Sequence, residues 1–561
     1  MSVVLIGLFA GSCSPPPRTE KPNIAFFVYD CTRHDRYSIN GNSRPTSPFF
    51  DELAEKSIYF NRAIAPAAWT FPSHAVMFTG FRNHQLKVDI NNKNYLVIDP
   101  NVATVAELLA ERGYTTISFP DHFYFGPVNA SLSRGFRYFD IIFNPLEQPA
   151  LSFTNCYNNI LIDRYVTIPA DEPGALENLK KRYQEILKEN TVSIDEWDRK
   201  DEQFPDVGEL LRESNYMNIR YRAFYDILKK NEGAPLFMYF NLHSSPIRRT
   251  NELMDAQWFL RYLAANNLAY TDPARFDSMD KENSIENGLL RQDYIIAFYD
   301  AICRSLVDHL FSNGYENTAV IIASDHGEAH GEHGENIYKH AYALPWEYAV
   351  RAPLLIHVPN ARAGESGVVV EEPISLADVF YTILDIAGEE DTPSVPGLVG
   401  RSLLSRLHEN DFERYEVTET FAAFPYSEIA SILPELGNQY YFERQTPLSG
   451  NTYAVYQGDY KLIYIPSCRE GVGPYSSKSV GPEYVSPPAR REFEVKMLFN
   501  VKNDPGENVN LADELPEIVE DLSGLYKRHK EREKNVRLVN QDRLSYDKGT
   551  AKQIRALGYV E

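Results

Sequence analysis

Two hydrophobic spacings alternate along this chain. Short runs are apolar at nearly every position: "NIAFFVYD" (Asn23–Asp30), "TTISF", "PLFMYFNLH", "TAVIIASDHGE" and "APLLIHVP". Such runs read as strands buried on both faces of a parallel sheet. Between them lie segments with apolar residues every three or four positions: "SPFFDELAEKS", "VATVAELLAERGY", "NIRYRAFYDILKKNEG", "YIIAFYDAICRSLVDHLFSNG" and "SLADVFYTILDIAG". These read as amphipathic helices, several of them stopped by glycine. Strand and helix in alternation predict right-handed crossovers and an α/β fold, a large mostly parallel sheet flanked by helices on both faces.

The pattern breaks twice. Residues from about 145 to 215 are polar and carry the charged piece "GALENLKKRYQEILKEN", which reads as an insertion. From about His408 the runs alternate in and out: "TYAVYQGDYKLIYIP" and "MLFNVKNDPGENVNL" predict antiparallel strands, with turns at Gly458-Asp459 and Asp504-Pro505-Gly506. The surface helix "PEIVEDLSGLYKRHKEREK" follows. The expected division is residues 21–407 as the main domain and 408–561 as a smaller C-terminal α+β subdomain built on an antiparallel sheet.

Composition narrows the partners. A formal net charge of -22 over 561 residues argues against nucleic acid. An acidic surface repels anions at long range, so an anionic substrate has to be captured locally, by a metal or a few cations. No run of about 20 apolar residues is present to span a bilayer. Residues 1–20 begin "MSVVLIGLFAGSCS", a short apolar run closing on small residues before Cys13. It resembles a lipoprotein signal, although no Lys or Arg precedes the run. The expectation is an exported lipoprotein, periplasmic or at the cell surface, anchored at Cys13; without a signal it is cytoplasmic. The other cysteines, Cys31, Cys156, Cys303 and Cys468, show no metal-knuckle spacing.

Candidate chemistry gathers at strand ends, where α/β sheets place their sites. Asp30 ends one buried run, and Asp325-His326 ends another. Two carboxylates and an imidazole suit Ca, Mg, Mn or Zn. "WTFPSHAVMFTG" (Trp69–Gly80) admits two readings from its residues alone. Thr70 caps a helix that has Pro72 in its first turn. Or Thr70 is a nucleophile, placed where the helix dipole favours an anion and a metal eases loss of its proton.

Several segments together resemble the sulfatase family of the alkaline phosphatase superfamily: "NIAFFVYDCTRHDRY", "RPTSPFFDELAEKSIYFNRAIAPAAWTFPSHAVMFTG", "ASDHGEAHGEHGE", "RAPLLIHVP", "LFNVKNDPGENVNLAD" and "IRALGYVE". The likeness runs through nearly all of the chain from about Pro22. It implies an alkaline-phosphatase-like fold and a metal-dependent hydrolase of phosphate or sulfate esters. It also implies one divalent metal on Asp30, Thr70, Asp325 and His326. Thr70 falls on the family's nucleophile position, Cys/Ser-x-Pro-Ser-Arg. There the family oxidises Cys or Ser to formylglycine; threonine, with a methyl on Cβ, cannot become that aldehyde. The resemblance therefore points to a direct covalent intermediate on Thr70 and to phosphoesters over sulfate esters. His74 replaces the motif's Arg and is expected to stabilise charge when protonated. By the same resemblance, Lys339-His340 falls where relatives carry groups that contact the transferred group or protonate the leaving oxygen, with His340 expected to be catalytic and Lys339 substrate-binding. His243 falls where they place a substrate-contacting or metal-binding His and is expected to bind substrate, although "SSPIRR" follows it in place of the usual His-Pro-Tyr-containing stretch. Arg33 and Asp35 are expected to be salt-bridge scaffolding, and His330 and His333 to order their loop. Expected substrates are small-molecule, glycan or lipid esters. A phospho-group transferase and a non-catalytic binding lipoprotein are the alternatives.

Overall fold

The computed structural model describes residues 21–86, 102–120, 132–139, 233–243, 284–334, 344–359, 366–388, 400–409, 416–424, 448–470 and 491–535, with a few single positions between them. Cys13, the expected insertion at 145–215, Lys339 and His340 lie outside the described residues.

The apolar runs form β1 (Asn23–Tyr29), β2 (Ile58–Ile64), β3 (Thr115–Pro120), β4 (Tyr138–Phe139), β5 (Leu236–Leu242), β6 (Thr318–Ala323), β7 (Arg351–His357), β8 (Val368–Val370) and β9 (Ile374–Ser375). They make one sheet in the order β4-β3-β5-β1-β6-β7-β2-β8, with β9 also paired to β2. All run in one direction except β7, which is antiparallel to β6 and to β2. The apolar run of β7 gave no hint of this reversal. Its cause is where the chain re-enters: the short helix Glu347–Val350 leads straight into β7, and the N–H of Gly327, just past β6, donates to Ala349 O (2.9 Å), so β7 starts at the edge where β6 ended.

Side chains alternate across the sheet with period two. On β1, Ile24, Phe26 and Val28 enter one core, with helices Thr70–Thr79, Val105–Glu111 and Asp378–Ile386. Ala25, Phe27 and Tyr29 enter the opposite core, with helices Pro48–Ala54 and Ile285–Ser312. Helices therefore cover both faces, and each fully buried aliphatic or aromatic side chain contributes roughly 1.5–3 kcal/mol. Local signals agree with this placement. Thr104 and Glu107 form a capping box, and Gly80, at φ 71, ends the Thr70–Thr79 helix where an added Cβ would meet the Phe380 ring.

A second sheet, β10 (Glu416–Phe424), β11 (Leu448–Gln457), β12 (Tyr460–Glu470) and β13 (Arg491–Asn500), is antiparallel in sequential order. Tyr456, Ile463 and Met497 on one face join the core of the large sheet. Tyr453, Leu462 and Leu498 on the other hold the apolar stripe of helix Pro516–Asn535 (Val519, Leu522, Leu525, Tyr526). The expected surface helix is thus half-buried, and the small sheet is packed between it and the main domain.

Candidate active site

Asp30 follows β1, and Asp325 and His326 follow β6, the strand beside it. Their ligand atoms lie within 4.8 Å of one another, and all three residues are buried. The backbone builds this meeting point. Cys31 takes a left-handed conformation, φ 59, at a cost on the order of 1–2 kcal/mol. Its N–H donates to Asp325 Oδ1 (2.9 Å), and so does the N–H of His326 (3.0 Å). Among the described residues Asp325 Oδ2 accepts no hydrogen bond, and it lies 3.4 Å from His326 Nε2 and 3.5 Å from His74 Nδ1.

Thr70 is the first residue of its helix. Trp69 occupies the N-cap and no side chain caps the turn, so the capping reading of the threonine does not describe this structure. Thr70 Oγ1 instead lies 3.2 Å from His326 Nε2. His326 Nδ1 donates to Gly327 O (2.7 Å), which turns the Nε2 lone pair toward Thr70 and the carboxylates. Ser73 Oγ donates to the carbonyl of Asp325 (2.6 Å) and ties the helix to the strand end. Pro72 has no N–H, so the amide donors ahead of Ser73 in this turn are those of Thr70 and Phe71.

The donor set fits a divalent cation. Burial and the neighbouring Asp30 carboxylate push Asp325 well above the usual carboxylate range, against the N–H groups that favour its charged form. Two buried carboxylates facing each other, one with an oxygen that accepts no hydrogen bond among the described residues, are the arrangement a cation relieves. Asp, Asp and His suit a hard or borderline metal.

His74 departs from its expected role. It is fully buried, donates from Nδ1 to Thr70 O (2.8 Å), and packs edge-on against Phe78 and Tyr239. Burial pushes its pKa down to about 4, so the ring is neutral at pH 7 and does not replace the charge of an arginine. Arg33 does act as scaffold: it binds Asp35 through two bonds of 2.9 and 2.8 Å, and also pairs with Glu332. His330 is buried against Gly288, and His333 stacks on Trp346 with ring centroids 4.1 Å apart, which orders the loop after β6. His243 directly follows β5 at the same edge of the sheet.

Sequence reasoning missed Asn241. This buried residue near the end of β5 donates from Nδ2 to Asp30 Oδ2 (3.1 Å). The strand period could have found it, because Tyr239 and Asn241 alternate onto the face that carries Asp30. A cleft of about 460 Å³ is lined by Arg33, Glu332, Tyr348, Arg351 and the Pro505–Asn508 turn among others, and none of Asp30, Thr70, Asp325 or His326 lines it.

A mixed α/β core with a large, mostly parallel sheet, a small antiparallel sheet, and a buried carboxylate–imidazole cluster beyond two adjacent strand ends is the setting in which the family match places an ester hydrolase. The sulfatase family profile matches residues 22–389, and the chain belongs to the sulfatase family, whose members are metal-dependent. Arylsulfatase K of Mus musculus is 24% identical over 557 residues, covering 93% of this chain and 83% of that protein. Two solved structures share the fold at 17% identity. A phosphonate monoester hydrolase from Silicibacter pomeroyi has TM-score 0.55 and covers 92% of this chain and 96% of its own. A sulfatase of putative assignment from Bacteroides thetaiotaomicron has TM-score 0.54 and covers 92% and 93%. Among the described residues, no helix is long and apolar enough to cross a membrane.

Proposed function

We propose that this family member hydrolyses phosphoesters in preference to sulfate esters, through a covalent intermediate on Thr70. The observation that carries the reading is the Thr70 hydroxyl, at the start of a helix and 3.2 Å from His326 Nε2, beside two buried carboxylates. Asp30, Asp325, His326 and Thr70 hold one divalent cation, Ca, Mg, Mn or Zn. That cation supplies positive charge beside the nucleophile and the oxygens of the transferred group.

Thr70 gives up its proton to solvent and attacks phosphorus through Oγ. The Oγ–P bond forms as the P–O bond to the alcohol breaks. His340 protonates the leaving oxygen, while Lys339 and His243 bind the transferred group. Water then attacks the phosphothreonine at phosphorus, its proton restoring the Thr70 hydroxyl, and the product leaves as phosphate from a monoester or as the remaining monoester from a diester. His74, neutral and bonded to the Thr70 carbonyl, positions the nucleophile and adds no charge. A sulfo-threonine has no aldehyde route for expelling sulfate, so sulfate esters turn over slowly. The substrate is a small-molecule, glycan or lipid ester, and export as a lipoprotein through Cys13 belongs to the same proposal.

Chromogenic phosphate monoester, diester, phosphonate and sulfate substrates, assayed after chelation and again with added metal, test the reading. Phosphoester turnover that needs the metal supports it. Faster turnover of sulfate esters overturns the phosphoester preference. Mass spectrometry of the N-terminus from the native host tests the lipoprotein, and an unmodified Cys13 overturns it.

A further inference from the structure

Asn241 has no part in the proposed ligand set, yet its amide lies against it. Nδ2 is 3.1 Å from Asp30 Oδ2, and Oδ1 is buried with no hydrogen-bond partner among the described residues. The strand period explains the meeting: Val28 and Asp30, Tyr239 and Asn241, and Ala323 and Asp325 alternate onto the same face of three adjacent strands.

We infer that Asn241 is a further oxygen donor to the divalent cation of this site, its amide turning so that Oδ1 stands beside Asp30 Oδ2. The inference rests on the reading of Asp30, Asp325 and His326 as ligands. The two terminal atoms of an asparagine amide are nearly identical in shape, and a half-turn about the last bond exchanges them within the same space. Without a cation, the N–H has to face the carboxylate, because an amide oxygen there is repelled. With a cation the preference reverses, since neutral carbonyl oxygens are ordinary ligands of hard dications. The observed 3.1 Å suits this, because oxygens held side by side at about 2.1–2.5 Å from one ion are roughly 3 Å apart. Asp, Asp, His and a hydroxyl alone leave a hard cation below the six or more donors it takes, and an amide oxygen adds one without adding charge. A residue serving only as an N–H donor to Asp30 leaves its buried oxygen with nothing to bind.

The test is a Mn²⁺ titration of the whole, chelator-stripped protein, with the free ion read by electron paramagnetic resonance. Wild type is compared with Asn241→Leu, Asn241→Asp and Asp325→Ala. The expected results are an affinity weakened at least about 10-fold by Asn241→Leu and held within about threefold, or tightened, by Asn241→Asp, which keeps an oxygen and lacks the N–H. Asn241→Leu binding within about threefold of wild type overturns the inference. So does Asn241→Asp binding as weakly as Asn241→Leu, which makes the N–H to Asp30 the working group. If Asn241→Leu does not fold, Asn241→Asp decides alone, and a loss of about 10-fold or more is fatal. Should wild type and Asp325→Ala both fail to bind Mn²⁺, the metal site falls and Asn241 with it. Should only Asp325→Ala fail, while Asn241→Leu binds normally, the metal site stands and the Asn241 inference falls.

Discussion

Thr70 and His326 are 256 residues apart in sequence, and their side chains meet at 3.2 Å. The contact brings the start of one helix to the end of β6, and two further bonds fix it: Ser73 Oγ to Asp325 O, and His326 Nδ1 to Gly327 O. The threonine hydroxyl is therefore held by the site and leaves the helix uncapped by any side chain.

If that hydroxyl is the nucleophile, Thr70→Ala lowers phosphoesterase kcat/KM by at least about 10³-fold while the fold persists. Thr70→Ser keeps the oxygen but loses the β-branch that restricts χ1, and a drop of roughly 10–100-fold is expected. Steady-state kinetics with circular dichroism checks both variants. A folded Thr70→Ala with near-native turnover removes Thr70 from the chemistry.

Bound metal is read independently of activity. Wild type purified without chelator carries roughly one equivalent of a divalent cation, and Asp325→Asn and Asp325→Ala carry almost none. Plasma mass spectrometry of the purified proteins measures this. Equal content in all three removes Asp325 from the ligand set.

How much of this was legible follows from what burial does to a sequence. β1, β5 and β6 stand out because a central parallel strand is apolar on both faces, and Asp30 and Asp325 stand out because they interrupt such runs at their ends. The reversal of β7 was not legible, since it depends on where the helix Glu347–Val350 delivers the chain. His74 looked like a potential cation because a motif shows residue type and not depth; in place, its ring is sealed between Phe78 and Tyr239. Asn241 was hidden among apolar neighbours, although its parity with Asp30 was readable.

Gly327 tests how tightly His326 has to be held. Its N–H donates to Ala349 O (2.9 Å), and an added Cβ would lie 1.9 Å from the carbonyl oxygen of Tyr348. Backbone cannot swing aside as a flexible side chain does, so Gly327→Ala has to shift the segment that carries His326. We expect about 1–3 kcal/mol of destabilisation together with weakened metal binding. Thermal unfolding and a metal titration check this, and unchanged values in both show that the loop accommodates the methyl.

The charge network between the two sheets predicts a pH dependence. Lys461 Nζ lies 3.1 Å from Glu347 Oε1 and 2.7 Å from Glu507 Oε1, with all three residues buried. Burial works against both carboxylates. Lys461, with Arg351 and the Tyr456 hydroxyl, holds Glu347 below its usual range. Lys461 is shared between the two carboxylates, so burial, aided by repulsion from Glu347, raises Glu507 from 4.5 to about 7 against the pull of Lys461. A carboxyl raised in the folded state adds stability that is complete below about pH 4.5 and is lost as pH rises through about 7, because unfolding in that window releases its proton. The slope from this group is at most about 1.4 kcal/mol per pH unit. Glu507→Gln removes it, while the amide oxygen still accepts the N–H of Glu347 that Glu507 Oε2 accepts at 2.6 Å. Urea unfolding of both proteins at pH 5, 6, 7 and 8 isolates the effect as a difference. Relative to wild type, the variant gains stability as pH rises from 5 to 7 and then levels off; parallel pH profiles show that Glu507 is ionised throughout.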